Sequence, residues 1–335
     1  MNIISKKPFG NFENKPVTEY SLQNANGMRV SIINYGATVT KIITADRNNL
    51  FANVINGFDT FDDYLSSNNP YMGCIVGRYC NRIAHGNFTI EGNKYNLAKN
   101  HGEHSLHGGY KGFDKAWWNA EPNEIDNSLK LNYLSKDGEE GFPGNLDITV
   151  IYSLSDGNEL KIDYSATTDK STPVNFTNHC YFNLSGDNNN PILEHELQLF
   201  ANSYTLTDSK LIPTGEIATV KNTLLDFTSA KKVGKDINAI GGYDHNMIIN
   251  KNDGSTNILK AAGLYEPVSG RFMQMFTTEP AVQFYSGNLE PGKQFGLCLE
   301  AQHYPNSPNE PSFPNTILRP GEEYRQETVY KFSTL

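Results

Sequence analysis

The sequence predicts an all-β protein, a large antiparallel β-sandwich, and three observations carry that expectation. Apolar and polar residues alternate over much of the chain. Asn, Gly, Asp and Pro punctuate it at short intervals, while helical periodicity is nearly absent. The 18 Tyr and 18 Phe supply the bulk that facing sheets need between them.

Residues 20–22 read as a strand against 28–33. Phe88 and Ile90 pair with Tyr95 and Leu97 across Glu91, Gly92 and Asn93. Further on, Leu146, Ile148, Val150, Tyr152 and Leu154 alternate with polar neighbours. A turn at Asp156 to Asn158 follows, and Leu160, Ile162, Tyr164 and Ala166 resume the pattern. Such a hairpin buries one face. The helix candidates are short: FDDYLSS from Phe61, and TSAKKVGKDI from Thr228, where Thr228 or Ser229 is placed to cap the start. Trp117 and Trp118 are assigned to packing, and the GEEY segment at 321–324 to a turn.

A chain of 335 residues with 38% hydrophobic content can bury a large core. No Pro/Ser-rich linker, low-complexity block or short repeat interrupts it, so residues 1–335 are expected to form a single domain. A formal net charge of -9 argues against nucleic acid and against an anionic membrane surface, both of which call for clustered Lys and Arg. The N-terminal twenty residues lack the apolar stretch of a secretory signal. Cys74, Cys80, Cys180 and Cys298 show no CxxC spacing and suit reduced, packed thiols. Together these features point to a cytoplasmic protein, with nothing that specifies an oligomeric state.

Three separated stretches each set one ionisable group among glycines, amides and aromatics: SLHGG around His107, TNHCYFNL around His179, and GLCLEAQ around Glu300. On a strand, Leu297, Leu299 and Ala301 face one way and Cys298, Glu300 and Gln302 the other, so the acid emerges opposite a core face. A carboxylate and an imidazole suit proton shuttling on a sugar, whose recognition needs planar polar groups for hydroxyls and rings for the apolar face. His101, His104 and His107 recur every third residue. That spacing converges neither on a strand nor on a helix, so no metal is expected there, and Gly108 and Gly109 favour a ligand site at His107.

GRYCNRIAHGNF (77–88), HSLHGGYKGFDKAWW (104–118), NFTNHCYFNLSG (175–186), GYDHN (242–246), TTEPAVQFYSGN (277–288) and GLCLEAQHYPNSPNEPSFPNTILRPGEEY (296–324) closely resemble the galactose mutarotase, or aldose 1-epimerase, family. The motifs keep the family's order and span nearly the whole chain. The resemblance implies a supersandwich fold and the interconversion of α and β anomers of free aldohexoses, with no cofactor, in an open cleft. Carried over by motif, Glu300 is the general base at the C1 hydroxyl and His179 the general acid at the ring oxygen. His107 orients the sugar, and Asn81, Arg82, Asp244 and Gln283 hold its hydroxyls.

That chemistry expects Glu300 ionised and His179 protonated, each holding the other in its charged form. Two departures stand out. Cys180 occupies a position that is often Ser, and the connection from Asn288 to Gly296 is short, which bears on sugar preference. Rival readings are a hexose-6-phosphate mutarotase, with Lys111 and Lys115 as candidate phosphate contacts, and a non-catalytic sugar-binding module; the latter should lose one of the acid/base pair, and both are present.

Overall fold

The structure, a computed structural model, describes residues 3–66, 69–250, 257–289 and 294–335. Among them the architecture is antiparallel β throughout its large sheets, as the alternation predicts. A nine-stranded sheet runs in the spatial order Asn119–Asn123, Ser128–Ser135, Leu146–Leu154, Glu159–Thr168, Tyr324–Thr334, Arg271–Thr277, Leu259–Tyr265, Glu196–Leu199 and Lys231–Lys232. One five-stranded sheet takes the N-terminal segments, from Ile3–Phe12 to Phe51–Asn53. The other is ordered Pro213–Thr219, Ala201–Thr207, Asp244–Ile249, Ala281–Tyr285 and Cys298–Gln302.

The predicted hairpins form in register. Leu154 opposes Leu160 and Ile148 opposes Ala166, which places the alternating apolar residues on the buried face. Tyr20 opposes Ile32 and Leu22 opposes Val30. In the 87–96 hairpin Asn93 already pairs with Ile90, so the turn is only Glu91 and Gly92, both at positive φ. Phe61–Tyr64 is helical for one turn, with the Thr60 hydroxyl accepting from the Asp63 N–H.

The helix expected from Thr228 does not form. Lys231–Lys232 pairs with Glu196 and Leu197 as an edge strand, a short 3₁₀ turn covers Val233–Lys235, and α-helix appears only over Ile237–Ile240. Pairing with a neighbouring strand overrides a weak helical signal that contains Gly234.

One apolar cluster draws on all three large sheets, including Val30, Val39, Val150, Ile162, Met273, Phe284 and Leu299. The Tyr152 hydroxyl donates to the Ala37 carbonyl and the Tyr330 hydroxyl to the Leu299 carbonyl, so the sheets are joined by hydrogen bonds through that core as well. Trp118 is buried and Trp117 packs on Tyr35. Among the described residues no helix is long and apolar enough to cross a membrane.

Candidate active site

The strand Cys298–Gln302 alternates as its sequence predicts: Leu297, Leu299 and Ala301 join the core, while Glu300 turns to the other face. Gln283 sits directly opposite Glu300 on the neighbouring strand, and Asn246 opposite Gln283 on the next, which makes a row of buried polar side chains across the sheet. Asp244 begins that third strand.

Loops from outside the sheet cover this row. The backbone leaves Asn81 and His107 in left-handed conformations, and the two lock reciprocally: His107 N–H donates to the Asn81 carbonyl, and Asn81 N–H donates to His107 Nδ1, both at 3.1 Å. A Cβ on Gly108, at φ +86°, would collide with the Gly77 carbonyl oxygen, so only glycine lets the HGG turn close on the GRYCNR segment. Both oxygens of Glu140 then accept the Tyr110 and Lys111 N–H groups, which fixes the rest of the turn. His179 is held by its backbone, donating to Cys74 O and accepting from Gly73 N–H.

The result is a cleft of about 220 Å³ lined by Asn81, Arg82, His107, His179, Asp244 and Glu300. Gln283, the seventh residue singled out by sequence, stands behind this wall and donates Nε2 to Asp244 at 2.6 Å. Arg82 reaches Asp244 at 3.3 Å and Asn81 Oδ1 at 3.4 Å. The lining also includes Tyr71, Tyr181, Tyr285, Leu289 and His101, which sequence reading left unassigned. A signal for Tyr181 was present in its place two residues from His179. For Tyr71 there was none, because its loop meets the site only in the fold.

His179 points Nδ1 at the Cys298 sulfur, 3.5 Å away, and Nε2 at Glu300 Oε2, 3.7 Å away. Nε2 is therefore the nitrogen that faces the carboxyl group. Glu300 is 2% exposed, and among the described residues neither its Oε2 nor Gln283 Oε1 has a hydrogen-bond partner. The Glu300 oxygen, in the cleft wall, is the one that a ligand hydroxyl would satisfy.

The charge state differs from the expected ion pair. Burial, and next the negative charge of Asp244, push Glu300 well above the ordinary carboxylate range. Burial lowers His179 to about 4, despite a hydrogen bond and Asp244 acting the other way. At 3.7 Å, desolvation of two buried charges outweighs their attraction, so the resting pair is neutral: a carboxylic acid beside an imidazole, with one exchangeable proton between them. Burial likewise holds His107 neutral, His179 being the next cause.

Ligand atoms of His107, His179 and Glu300 lie within 4.8 Å of one another, a spacing that a metal could bridge. The donor chemistry does not fit. Because a backbone N–H already donates to His107 Nδ1, the neutral ring must carry its hydrogen on Nε2, which is then a donor and not a ligand. His104 faces away, its Nδ1 accepting from His85 N–H, so the His101, His104, His107 run does not converge either.

A second imidazole–carboxylate pair, His303 with Glu279, lies in a separate cleft of about 810 Å³. Glu279 is fully engaged there by His303 and the Tyr324 hydroxyl, unlike Glu300. The connection after Asn288 falls partly on residues 290–293, outside the described residues. All four cysteines are buried and unpaired; Cys80 and Cys298 make polar contacts at the site, with Gln302 and His179, beyond the packing expected of them.

Known proteins resemble this chain along most of its length. The family model described as aldose 1-epimerase matches residues 18–331. The chain is 42% identical to a galactose mutarotase of Bos taurus over 330 residues, covering 95% of this chain and 94% of that one. It is 36% identical to an aldose 1-epimerase of Escherichia coli, with 96% of each chain covered. In three dimensions it resembles an aldose epimerase homologue from C. elegans (TM-score 0.86, 30% identity, 93% of this chain and 97% of that one). A galactose 1-epimerase from Lactobacillus acidophilus superposes as well (TM-score 0.86, 28% identity, 100% and 99%). The fold, the motif order and these likenesses converge: the chain belongs to the aldose 1-epimerase family.

Proposed function

We propose that this protein is an aldose mutarotase that interconverts the α and β anomers of free aldohexoses such as galactose and glucose, using Glu300 and His179 as its acid/base pair. The observation that carries the reading is the buried Glu300 Oε2, unpartnered among the described residues and 3.7 Å from His179 Nε2.

In the reactive complex Glu300 is the carboxylate and His179 the imidazolium, one proton hop from the resting neutral pair. Glu300 takes the hydrogen of O1, the C1–O5 bond breaks as C1=O1 forms, and His179 Nε2 delivers its proton to O5. The open-chain aldehyde then faces a carboxylic acid and a neutral imidazole. That is the charge state which burial favours, so the site is matched to the ring-opened state. After rotation about C1–C2, His179 removes the O5 hydrogen, O5 attacks the other face of C1, and Glu300 returns a proton to O1.

His107 cannot replace His179 in this cycle. Re-protonation after donating would have to keep the Asn81 N–H on Nδ1, so the ring serves as a fixed Nε2–H donor to a sugar oxygen. Asn81, Arg82 and Asp244 hold hydroxyls, and Gln283 holds Asp244 in place. Lys115, a candidate phosphate contact, is already paired with Asp114 at 2.7 Å, which favours free sugars.

The test is polarimetry on freshly dissolved pure anomers, with hexose 6-phosphates in parallel and a chelated sample as control. Faster approach to equilibrium with α-D-galactose or α-D-glucose, unaffected by EDTA, is the expected result. Acceleration confined to the phosphates selects the sugar-phosphate enzyme, and none at all selects the binding module.

A further inference from the structure

Two tyrosine rings lie against the His179 imidazole. Tyr181 is nearly parallel to it (30°) with centroids 5.1 Å apart, and Tyr71 likewise (28°) at 5.9 Å. Tyr71 also meets His107 edge-on, with centroids 4.6 Å apart. Both tyrosines line the cleft.

The Tyr71 backbone is in the left-handed region, at φ +64°, a costly conformation for a bulky side chain that persists only where the surroundings impose it. Here they do. The Tyr181 hydroxyl donates to the Pro70 carbonyl at 2.9 Å; Met72 N–H donates to the Asn69 side chain; and Cys74, through both N–H and thiol, donates to the Tyr71 carbonyl. One tyrosine thus ties down the loop that presents the other.

We propose that Tyr71 and Tyr181 are positioning residues of the acid/base pair: together they hold the plane of the His179 imidazole and favour its protonated, proton-donating form. An aromatic face attracts a cation most strongly where water is excluded, and His179 is 4% exposed. The charge His179 must carry in the reactive complex is therefore offset by the ring faces as well as by Glu300. Other groups facing His179 are Cys298 at Nδ1, His107 across the cleft at 5.3 Å between ring centroids, and Asp244, itself paired with Arg82. Lys115 lies 5.6 Å from the Tyr71 ring and is neutralised by Asp114.

The proposal rests on the mutarotase reading, and its test separates the two. The His179 ring is titrated by NMR, and anomerisation is followed by polarimetry, in the parent protein, Tyr71→Leu, Tyr71→Phe and Tyr181→Phe. With Tyr71→Leu the His179 titration should move down by roughly half to one pH unit and kcat fall by up to about tenfold. Tyr71→Phe, which restores a ring, should recover most of both. Tyr181→Phe keeps its ring but cuts the tie to Pro70, and should give a smaller shift of the same sign; it carries the test if Tyr71→Leu does not fold. An unmoved His179 titration in folded Tyr71→Leu, or Tyr71→Phe as impaired as Tyr71→Leu, overturns the proposal. Parent protein that does not accelerate anomerisation sinks the mutarotase reading instead, while the titration still reports on the rings.

Discussion

Glu300 and His179 hold one exchangeable proton between them, and burial decides where it rests: on Glu300, because removing either charge from water costs more than the pair regains at 3.7 Å. On the proposed mechanism, activity needs that one proton. It is lost as pH rises through the raised pKa of Glu300, and a second proton arrives on His179 near pH 4. The profile of kcat/KM against pH should therefore have its acid limb low, falling about tenfold per unit below about 4; an acid limb near the ordinary histidine value of 6.5 would show that burial does not govern the pair. Glu300→Gln removes the base while keeping the shape, and kcat should drop roughly 10²- to 10⁴-fold, as should that of His179→Asn. The same change bears on stability. Glu300's folded pKa lies above its unfolded value, so its contribution is full below about pH 4.5 and is lost as pH rises toward the folded pKa. Glu300→Gln should thus raise Tm at pH 7, with the gain shrinking as pH is lowered toward 4.5; a Tm equal to or below the parent's at pH 7 would count against the buried acid. His179 acts oppositely, its contribution full above about 6.5 and lost as pH falls through about 4. The identity of both residues was legible in motif and surroundings. Their charge state was not, because desolvation is a property of the closed cleft.

Strands position the carboxylates and turns position the histidines, and the two kinds of element differ in what a substitution does. On Cys298–Gln302 the alternation alone aims Glu300 away from the core, so its orientation was readable from five residues. The HGG turn depends instead on a contact between segments distant in sequence: Gly108 lies against the Gly77 carbonyl. Gly108→Ala should force the turn off the GRYCNR segment and displace His107 from Asn81, lowering kcat/KM by roughly 10²-fold through misplacement of a binding group, with steady-state kinetics as the check. Gly92→Ala is the control: nothing lies near its Cβ position and it is remote from the cleft, so it should cost only the strain of its left-handed φ and leave turnover intact. The segment from Thr228 shows the limit of local reading. Its capping signal was correct chemistry in the wrong competition, since Lys231 and Lys232 gain strand pairing with Glu196 and Leu197.

For the whole molecule, one apolar cluster runs from Leu22 to Phe332 and includes side chains of all three large sheets, and we propose that the chain folds as a single domain. Thermal unfolding should accordingly give one calorimetric transition whose van't Hoff and calorimetric enthalpies agree, and two resolved transitions would place a boundary inside the chain. Alternation of period two, turn residues at short intervals and aromatic content determined the all-β architecture, because they are local rules of strand geometry repeated along most of the chain. The motifs determined the family and pointed to Glu300, His179, His107, Asn81, Arg82, Asp244 and Gln283. Only the tertiary structure decided that Gln283 stands behind Asp244, that His107 is a fixed donor, that the pair rests neutral, and that Tyr71 joins Tyr181 against His179. Each of these depends on distances between segments remote in sequence and on how much water their packing excludes, and neither quantity is written in any one stretch of the chain.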